Sequence, residues 1–122
     1  MKPRILPMDP DREYFFDEGC FINELSNSAD DAAVSIAQAR VAVGNTTRWH
    51  CLRDTTERYV ILSGSGRVDV GDQVQAVQAG DVVIIPPLCR QRIANTGSAD
   101  LVFLAICSPR FQPDCYEDLE PT

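Results

Sequence analysis

Histidine, long apolar runs and helical periodicity are the features that this chain lacks. Its 122 residues contain one histidine, His50, so Ser–His and Cys–His catalytic pairs are excluded everywhere else in the chain. The longest apolar stretches, 82–88 and 101–107, are far shorter than the ~20 residues of a membrane-spanning helix. No segment longer than about ten residues keeps a helical period, and the sequence therefore predicts almost no helix.

The cysteines and the charge balance narrow the setting in which the protein works. The five cysteines are scattered and form no C-x-x-C pair, which is typical of free thiols in a reducing compartment rather than of a zinc knuckle or disulfide framework. No apolar segment of the length of a secretory signal occurs near Met1, so we expect a cytoplasmic protein. Acidic residues outnumber basic ones by 18 to 11, for a net charge of -7, which argues against nucleic-acid and membrane partners.

What the chain does have is a series of short apolar runs broken by turn residues. A length of 122 residues, with 44% hydrophobic and 24% charged, fits one domain, 1–122, with its own core. Turn sequences such as 63–66 and 95–97 separate the runs at regular spacing. This pattern predicts an all-β fold, a double-sheet barrel or jelly roll. The predicted strands are 20–25, 34–43, 48–52, 58–62, 66–70, 74–77, 82–85, 91–94 and 101–107.

The two ends of the chain do not fit this strand pattern. Pro3, Pro7 and Pro10 predict an extended N-terminal arm, and residues 11–16 are interpreted as a single helical turn. The short C-terminal tail, 109–122, contains three prolines and four acidic residues. We interpret this tail as a surface strap or a frayed end.

One set of residues stands at fixed offsets within residues 44–95. Its spacing resembles the two motifs of the cupin family, G-x5-H-x-H-x3,4-E-x6-G and G-x5-P-x-G-x2-H-x3-N. The positions that match these motifs are Gly44, His50, Glu57, Gly64, Gly80, Pro86 and Asn95. The chain departs from the motifs at Leu52, Leu88 and Gln91.

The resemblance implies a jelly-roll barrel, a homodimer and a pocket that binds a small molecule. In the family, two histidines and a glutamate of the first motif and a histidine of the second bind a divalent metal, which maps here to His50, Leu52, Glu57 and Gln91. Leucine cannot ligate, and an amide oxygen is a weaker donor than imidazole. The resemblance therefore leaves His50, Glu57 and Gln91 as ligands for a weakly held zinc, manganese, iron or nickel, with a metal-free pocket as the alternative.

Strand alternation predicts which side chains share the pocket. On one strand, Arg48, His50 and Leu52 have the same parity, and Glu57 with Tyr59 returns on the next strand. We expect these five side chains to face one apolar pocket together with Gln91. In this interpretation Glu57 and Tyr59 are catalytic, while Arg48, Leu52 and Gln91 bind substrate. Three alternatives stay open: Tyr59 as packing, Arg48 in an ion pair with Glu57, and Gln91 as part of a hydrogen-bond network.

Two function classes follow, and the sequence does not choose between them. The first is a small enzyme, of the isomerase, dioxygenase or lyase kind, acting on a carbonyl, carboxylate or sugar-like metabolite. The second is a metal-free protein that binds or senses a ligand without converting it. Strand 82–85 is apolar on both faces, so one face requires cover from the N-terminal arm or from a second subunit. The sequence identifies neither the substrate nor the reaction.

Overall fold

The strands of the computed structural model, which describes residues 1–121, account for almost all of its regular structure. The remaining regular elements in this range are short 3₁₀ turns at Pro10–Arg12, Ala29–Asp31 and Pro113–Cys115. The all-β prediction is confirmed, and no helix in residues 1–121 has the length and apolarity needed to cross a membrane. The strands are β1 Tyr14–Phe16, β2 Cys20–Ser26, β3 Ser35–Val41, β4 His50–Leu52, β5 Thr56–Ser63, β6 Ser65–Val70, β7 Gln73–Gln78, β8 Val82–Ile85, β9 Gln91–Asn95, β10 Leu101–Ser108 and β11 Tyr116–Asp118.

Two antiparallel sheets enclose the interior. One has six strands in the order β1-β2-β3-β10-β5-β8, and the other has five in the order β11-β4-β9-β6-β7. Every predicted strand is present, and all but 82–85 have shifted ends. One such shift matters for the site, because β4 begins at His50 rather than at Arg48.

Two strands at the ends of the chain were not predicted. The helical turn expected over 11–16 is a 3₁₀ turn at Pro10–Arg12, capped by the Asp9 side chain, which accepts a hydrogen bond from the backbone N–H of Asp11. Tyr14–Phe16 then form β1, which pairs with β2, in keeping with the strand preference of aromatic residues. The tail is held by β11, which pairs with β4, and is therefore a strap rather than a frayed end.

The inward face of the six-stranded sheet changes character along its length. At one end Val41, Ile61 and Phe103 are buried at 0%, 1% and 2% exposure and fill the space between the sheets. Toward the other end the same face carries smaller residues, Ala37 on β3 and Ala105 on β10, which lie opposite each other in register. Because strand side chains alternate, these positions all face the interior. One end is therefore a packed core, and the other end leaves room.

The turn between β5 and β6 shows why a motif position is glycine. Gly64 has φ +89°, and a Cβ at this position would lie 2.6 Å from the carbonyl oxygen of Asp100. Only glycine combines this left-handed conformation with so close an approach of the neighbouring backbone. This turn joins β5, the strand that carries Glu57, to β6 of the other sheet.

The outer face of β8 is apolar and open. Val82 and Ile84 are 58% and 65% exposed, and β8 is an edge strand of the six-stranded sheet. The N-terminal arm does not cover them, since its side chains are themselves exposed and Arg4 contacts Ser28 and Asp30 instead. Of the two covers expected from the sequence, the N-terminal arm is therefore not observed.

Candidate functional site

A cavity of about 280 Å³ lies at the end of the barrel where the inward side chains are small. Both sheets line it, and two segments outside the predicted barrel close it. Those segments are the β1 hairpin at the N-terminal side and the C-terminal tail. The lining residues are Tyr14, Phe16, Glu18, Ile22, Glu24, Asn27, Ser35, Ala37, His50, Leu52, Glu57, Ala105, Cys107, Phe111, Pro113 and Tyr116.

His50 is held in one tautomer. Its Nδ1 lies 2.7 Å from the backbone carbonyl of Arg48, and because a carbonyl only accepts, Nδ1 carries the proton. The ring is 2% exposed and stacks on Tyr116 with centroids 5.1 Å apart and planes at 21°. Burial lowers the pKa of His50, so the imidazole is neutral at neutral pH. The lone pair of Nε2 therefore faces the cavity as an acceptor.

Glu18 is the partner of that lone pair, and the sequence analysis missed it. Its Oε1 lies 3.2 Å from His50 Nε2, and its side chain is 11% exposed. Burial raises the pKa of Glu18 to about 8, so the carboxyl is protonated at neutral pH and donates to Nε2. Glu18 stands in the turn between β1 and β2, outside both motifs. No signal in the sequence marks it, because its position depends on how the N-terminal hairpin packs on the barrel.

A second buried carboxyl, that of Glu57 on β5, faces the same cavity from the six-stranded sheet, opposite His50 on the five-stranded sheet. Burial, with the neighbouring Glu18 carboxyl, raises the pKa of Glu57 to about 7. Its Oε2 accepts a long hydrogen bond of 3.7 Å from Cys107 Sγ. Among residues 1–121, Glu57 Oε1 has no partner within hydrogen-bond geometry, although the nearby side-chain amide of Gln91 acts to lower the pKa of Glu57. The expected meeting of His50 and Glu57 at one cavity is therefore observed.

Gln91 lies directly opposite His50 on adjacent strands and is 1% exposed. Its Oε1 accepts a 2.5 Å hydrogen bond from the Tyr59 hydroxyl, whereas its Nε2 lacks a partner in the described part of the chain. Tyr59 packs against Phe103, with ring centroids 4.5 Å apart. Tyr59 and Gln91 thus form a buried pair behind His50 and Glu57, the hydrogen-bond network that was one of the open alternatives.

The cavity lining lacks three predicted site residues, Arg48, Tyr59 and Gln91, and Gln91 is held instead in its buried pair with Tyr59. Arg48 precedes β4, so strand alternation does not carry its side chain inward, and its guanidinium pairs with Asp118 at 3.0 Å and Glu120 at 4.0 Å. Neither the substrate clamp nor the ion pair with Glu57 is therefore observed for Arg48. Tyr59 belongs to the core cluster and reaches only Gln91. Its position matches the packing alternative and not a catalytic contact.

The four positions that the family resemblance assigns to a divalent metal, 50, 52, 57 and 91, do not offer it a free set of donor atoms. Leu52 offers no donor, and the oxygen of Gln91 is engaged by Tyr59, which leaves its NH₂ group, a pure donor of hydrogen bonds, unpartnered. The lone pair of His50 Nε2 is taken by Glu18. Residues 1–121 contain no group of three His, Cys, Asp or Glu side chains placed to hold a metal ion. The arrangement does not fit a metal centre built on His50, Glu57 and Gln91.

Within residues 1–121, the cavity lining contains acidic side chains but no basic side chain that is charged at neutral pH. Glu18, Glu24 and Glu57 line the cavity, and no lysine or arginine of the described chain does so. His50 adds no positive charge, because burial keeps it neutral. A bound anion would therefore meet carboxyl groups without a countercharge. The lining suits an uncharged or a positively charged molecule.

Comparison with known proteins agrees with this architecture. A family model described as "Cupin domain" matches residues 37–107. An uncharacterized protein of Methanocaldococcus jannaschii is 33% identical over 114 residues, which cover 92% of this chain and 89% of that protein.

Two enzymes with solved structures have the same fold at low identity. The oxalate decarboxylase of Lactobacillus farciminis, solved as a formate complex, superposes with a TM-score of 0.77 at 22% identity. The match covers 88% of this chain but 33% of that one. Pac13, described as a unique nucleoside dehydratase, superposes with a TM-score of 0.75 at 16% identity over 96% of this chain and 92% of its own. At these identities the likeness extends to the fold alone.

Proposed function

The chain belongs to the cupin family, and on that premise we propose that it is a small enzyme that moves protons on an organic metabolite without a bound metal. The single observation that carries this proposal is the environment of His50. A neutral imidazole of fixed tautomer lies between a carboxyl group 3.2 Å away and a second buried carboxyl, at the wall of an apolar cavity.

These groups have the properties that acid–base catalysis requires. His50 Nε2, oriented by the bond from Nδ1 to the Arg48 carbonyl, acts as a base once a bound substrate displaces the Glu18 carboxyl from it. Glu18, protonated at neutral pH, is an acid, and Glu57, with a pKa of about 7, can serve as either. Catalytic groups work best when their pKa lies near the working pH. Neighbouring groups with separated pKa values supply both the donor and the acceptor of a proton.

The reaction class that fits is proton removal beside a carbonyl or an elimination of water. In the first, His50 or Glu57 takes a proton from carbon and Glu18 protonates the developing oxyanion. In the second, His50 or Glu57 removes a proton from the carbon next to the one that bears the hydroxyl group, Glu18 protonates the hydroxyl, which leaves as water, and a C=C bond forms. The same fold in a nucleoside dehydratase supports the view that such a barrel can host elimination. The lack of a lining cation disfavours the carboxylate substrates that the sequence left open.

Solvent exchange tests this proposal without a known substrate. Small aldehydes, ketones and hydroxyketones are incubated in D₂O with chelator-treated protein, and loss of C–H signals is followed by proton NMR. We expect exchange that persists after chelation and slows at least ~100-fold in His50→Ala, the usual contribution of a positioned base. Trp49→Phe, remote from the cavity, is the matched control. Exchange that chelation abolishes, or that His50→Ala leaves unchanged, overturns the proposal.

Binding without turnover is the second candidate function. It is favoured by one observation: Glu18 lies 3.2 Å from His50 Nε2 and so occupies the lone pair that a base would need. In that case the cavity retains a ligand, and Glu18, Glu57 and Gln91 act as hydrogen-bonding groups only. A compound that binds in the cavity but shows neither exchange nor conversion in D₂O would decide for this function.

We also infer that two copies of the chain associate through the edge strand β8. The exposed Val82 and Ile84 lie on an unpaired sheet edge, a site that proteins normally cover or block. Light scattering at micromolar concentration should give twice the 13.5 kDa mass of the chain. Ile84→Lys should shift the mass to that of one chain, whereas a clean monomer of the unaltered protein would contradict the inference.

A further inference from the structure

We infer, on the basis of the proposed function at this cavity, that its ligand carries a substituted ammonium group held by carboxylates and aromatic rings. This goes beyond the reaction class to the chemical class of the substrate. The reacting carbon would lie at His50, and the ammonium group between Glu57 and the aromatic rings of the lining. Three independent features of the lining support the inference: its charge, an unsatisfied buried carboxylate oxygen, and its rings.

The charge of the lining favours a cation over an anion. Three carboxyl groups face the cavity, of which Glu24 is the outermost and half-buried. Two arginines come near the outer wall, but both are directed at other groups. Arg12 donates to the backbone carbonyl of Glu24 at 3.2 Å, and Arg110 donates to Asn27 Oδ1 at 2.9 Å. Neither guanidinium lines the cavity, so none of the described residues neutralises its carboxyls from within.

Glu57 contributes the unsatisfied oxygen. The residue is 9% exposed, lines the cavity, and leaves Oε1 without a partner among residues 1–121. A buried carboxylate oxygen without a donor is unfavourable. The positive charge of a bound ammonium group would provide the missing countercharge, and an N–H, where the group carries one, would add the hydrogen bond. A ligand that lacked positive charge would provide at most the hydrogen bond.

Four aromatic side chains form much of the outer wall. Tyr14 and Phe16 come from β1, and Phe111 and Tyr116 come from the C-terminal tail. Phe16 and Tyr116 meet edge to face with centroids 5.2 Å apart, so the two segments converge over the cavity. Aromatic faces attract ammonium groups, and quaternary ammonium ligands are typically bound among several rings. Rings beside carboxylates thus select for charge as well as for apolar surface.

The raised pKa values of the carboxyls give ammonium binding a second signature, the release of protons. A nearby positive charge favours the ionised form of a carboxyl group. Binding of an ammonium ligand should therefore release protons from Glu18 and Glu57, whose pKa values lie at about 8 and about 7 in the free protein. An anionic ligand would instead require those groups to stay protonated.

A charge series of nearly identical shape tests the inference. Choline, 3,3-dimethylbutan-1-ol and 3,3-dimethylbutanoate share a bulky head of the same size but are cationic, neutral and anionic in turn. Isothermal calorimetry on the full chain should show choline binding at least ten-fold more tightly than the alcohol, with no measurable binding of the anion. Equal or tighter binding of the alcohol, preference for the anion, or no choline binding at millimolar concentration overturns the inference.

Variants then locate the recognition. Glu57→Gln should weaken choline at least ten-fold and leave the alcohol within two-fold, because the shape is kept and the charge is lost. Glu24→Gln makes the same test at a half-buried position in case Glu57→Gln fails to fold. Phe111→Leu should weaken choline more than the alcohol. The control is Trp49→Leu, which removes a ring that contacts Arg90 and Arg92 on another surface and should change neither affinity.

The outcomes for the two proposals are separable. Choline binding with no proton exchange in any tested substrate would support the ammonium site and remove the proposed catalysis. Exchange that depends on His50, together with preference for the neutral alcohol, would support the catalysis and overturn the ammonium class. Loss of choline selectivity in the Trp49→Leu control would place the cation on the outer surface and also overturn the inference.

Discussion

The two ends of the barrel interior share the same strands but differ in side-chain size. On β10, Phe103 fills the core end, and two residues later Ala105 leaves space beside the cavity. On β3, Val41 is buried in the core end at 0% exposure, and Ala37 lines the cavity. The two sheets therefore need not lie farther apart at one end to leave a cavity between them. Smaller side chains on an unchanged inward face are sufficient.

The ends also differ in how they are closed. The core end is filled by its own side chains, whereas the cavity end is covered by β1 and the tail, which carry Glu18 and Tyr116 onto His50. A filled interior gains stability from burial of apolar surface. A cavity with buried carboxyls loses some of that gain, because each carboxyl is desolvated. Stability and function are thus concentrated at opposite ends.

The largest expected effect of a substitution lies at the core end. Phe103→Ala removes a ring that is 2% exposed and packs on Tyr59, and should lower the free energy of unfolding by about 3–5 kcal/mol. Urea denaturation followed by circular dichroism measures this. A loss of less than about 1 kcal/mol, within the range of surface substitutions, would show that the core end is not the stable half of the barrel.

The alternation of side chains along the strands predicted the barrel, but it did not predict β1 and the C-terminal tail, the two segments that cover the cavity. His50, Glu57 and Gln91 meet at one end of the barrel because alternation and the motif offsets constrain each of them to the inward face. Arg48 was misplaced because the same alternation was extended to a residue that precedes the strand. A register argument holds only where pairing is continuous.

The two segments that cover the cavity could not be predicted, because their strands, β1 and β11, are each three residues long. Glu18 and Tyr116 reach the cavity only once β1 pairs with β2 and β11 pairs with β4. Such short segments carry too little periodicity to be recognised, and tertiary pairing decides their conformation. The residues that give His50 its chemistry therefore come from the parts of the chain with the weakest sequence signal.

The second prediction concerns the pH dependence of stability, which should originate at the cavity end. The carboxyls of Glu18 and Glu57 ionise near pH 4.5 when unfolded but hold their protons to about pH 8 and 7 when folded. The folded state therefore binds more protons in this window, and stability should fall as the pH rises from 5 to 8. The lowered pKa of His50 acts in the opposite direction near pH 6.5.

The Glu18→Gln variant isolates the contribution of one carboxyl. We expect the difference in unfolding free energy between the unaltered protein and this variant to change by up to about 1.4 kcal/mol per pH unit. Urea titrations at several pH values measure it. Phe103→Leu, altered at the core end, should keep the slope of the unaltered protein. Equal slopes in all three proteins would contradict the assignment of raised pKa values to the cavity.

The third prediction compares the same substitution, alanine to leucine, at two positions on the inward face of β3. Ala39→Leu inserts a side chain into the packed end and should destabilise the protein by about 1–3 kcal/mol. Ala37→Leu, two residues earlier on the same face, enters the cavity and should cost less than about 1 kcal/mol while abolishing choline binding. Thermal unfolding and calorimetry compare the two. A larger loss of stability for Ala37→Leu than for Ala39→Leu would contradict the proposed division of the interior.

A substitution in the tail that covers the cavity should change stability less than Phe103→Ala does. Tyr116→Ala removes the ring stacked on His50 and the edge contact with Phe16, and should lower the free energy of unfolding by about 0.5–1.5 kcal/mol. The more informative readout is His50 itself. Because burial is the main cause of its lowered pKa, uncovering the ring should raise the pKa toward the ordinary value of 6.5, as followed by NMR titration of the imidazole. Tyr116→Phe keeps the ring and should keep the lowered pKa. If Tyr116→Ala leaves the pKa of His50 unchanged, the cover is provided by β1 alone, and the tail holds the protein together without shaping the site.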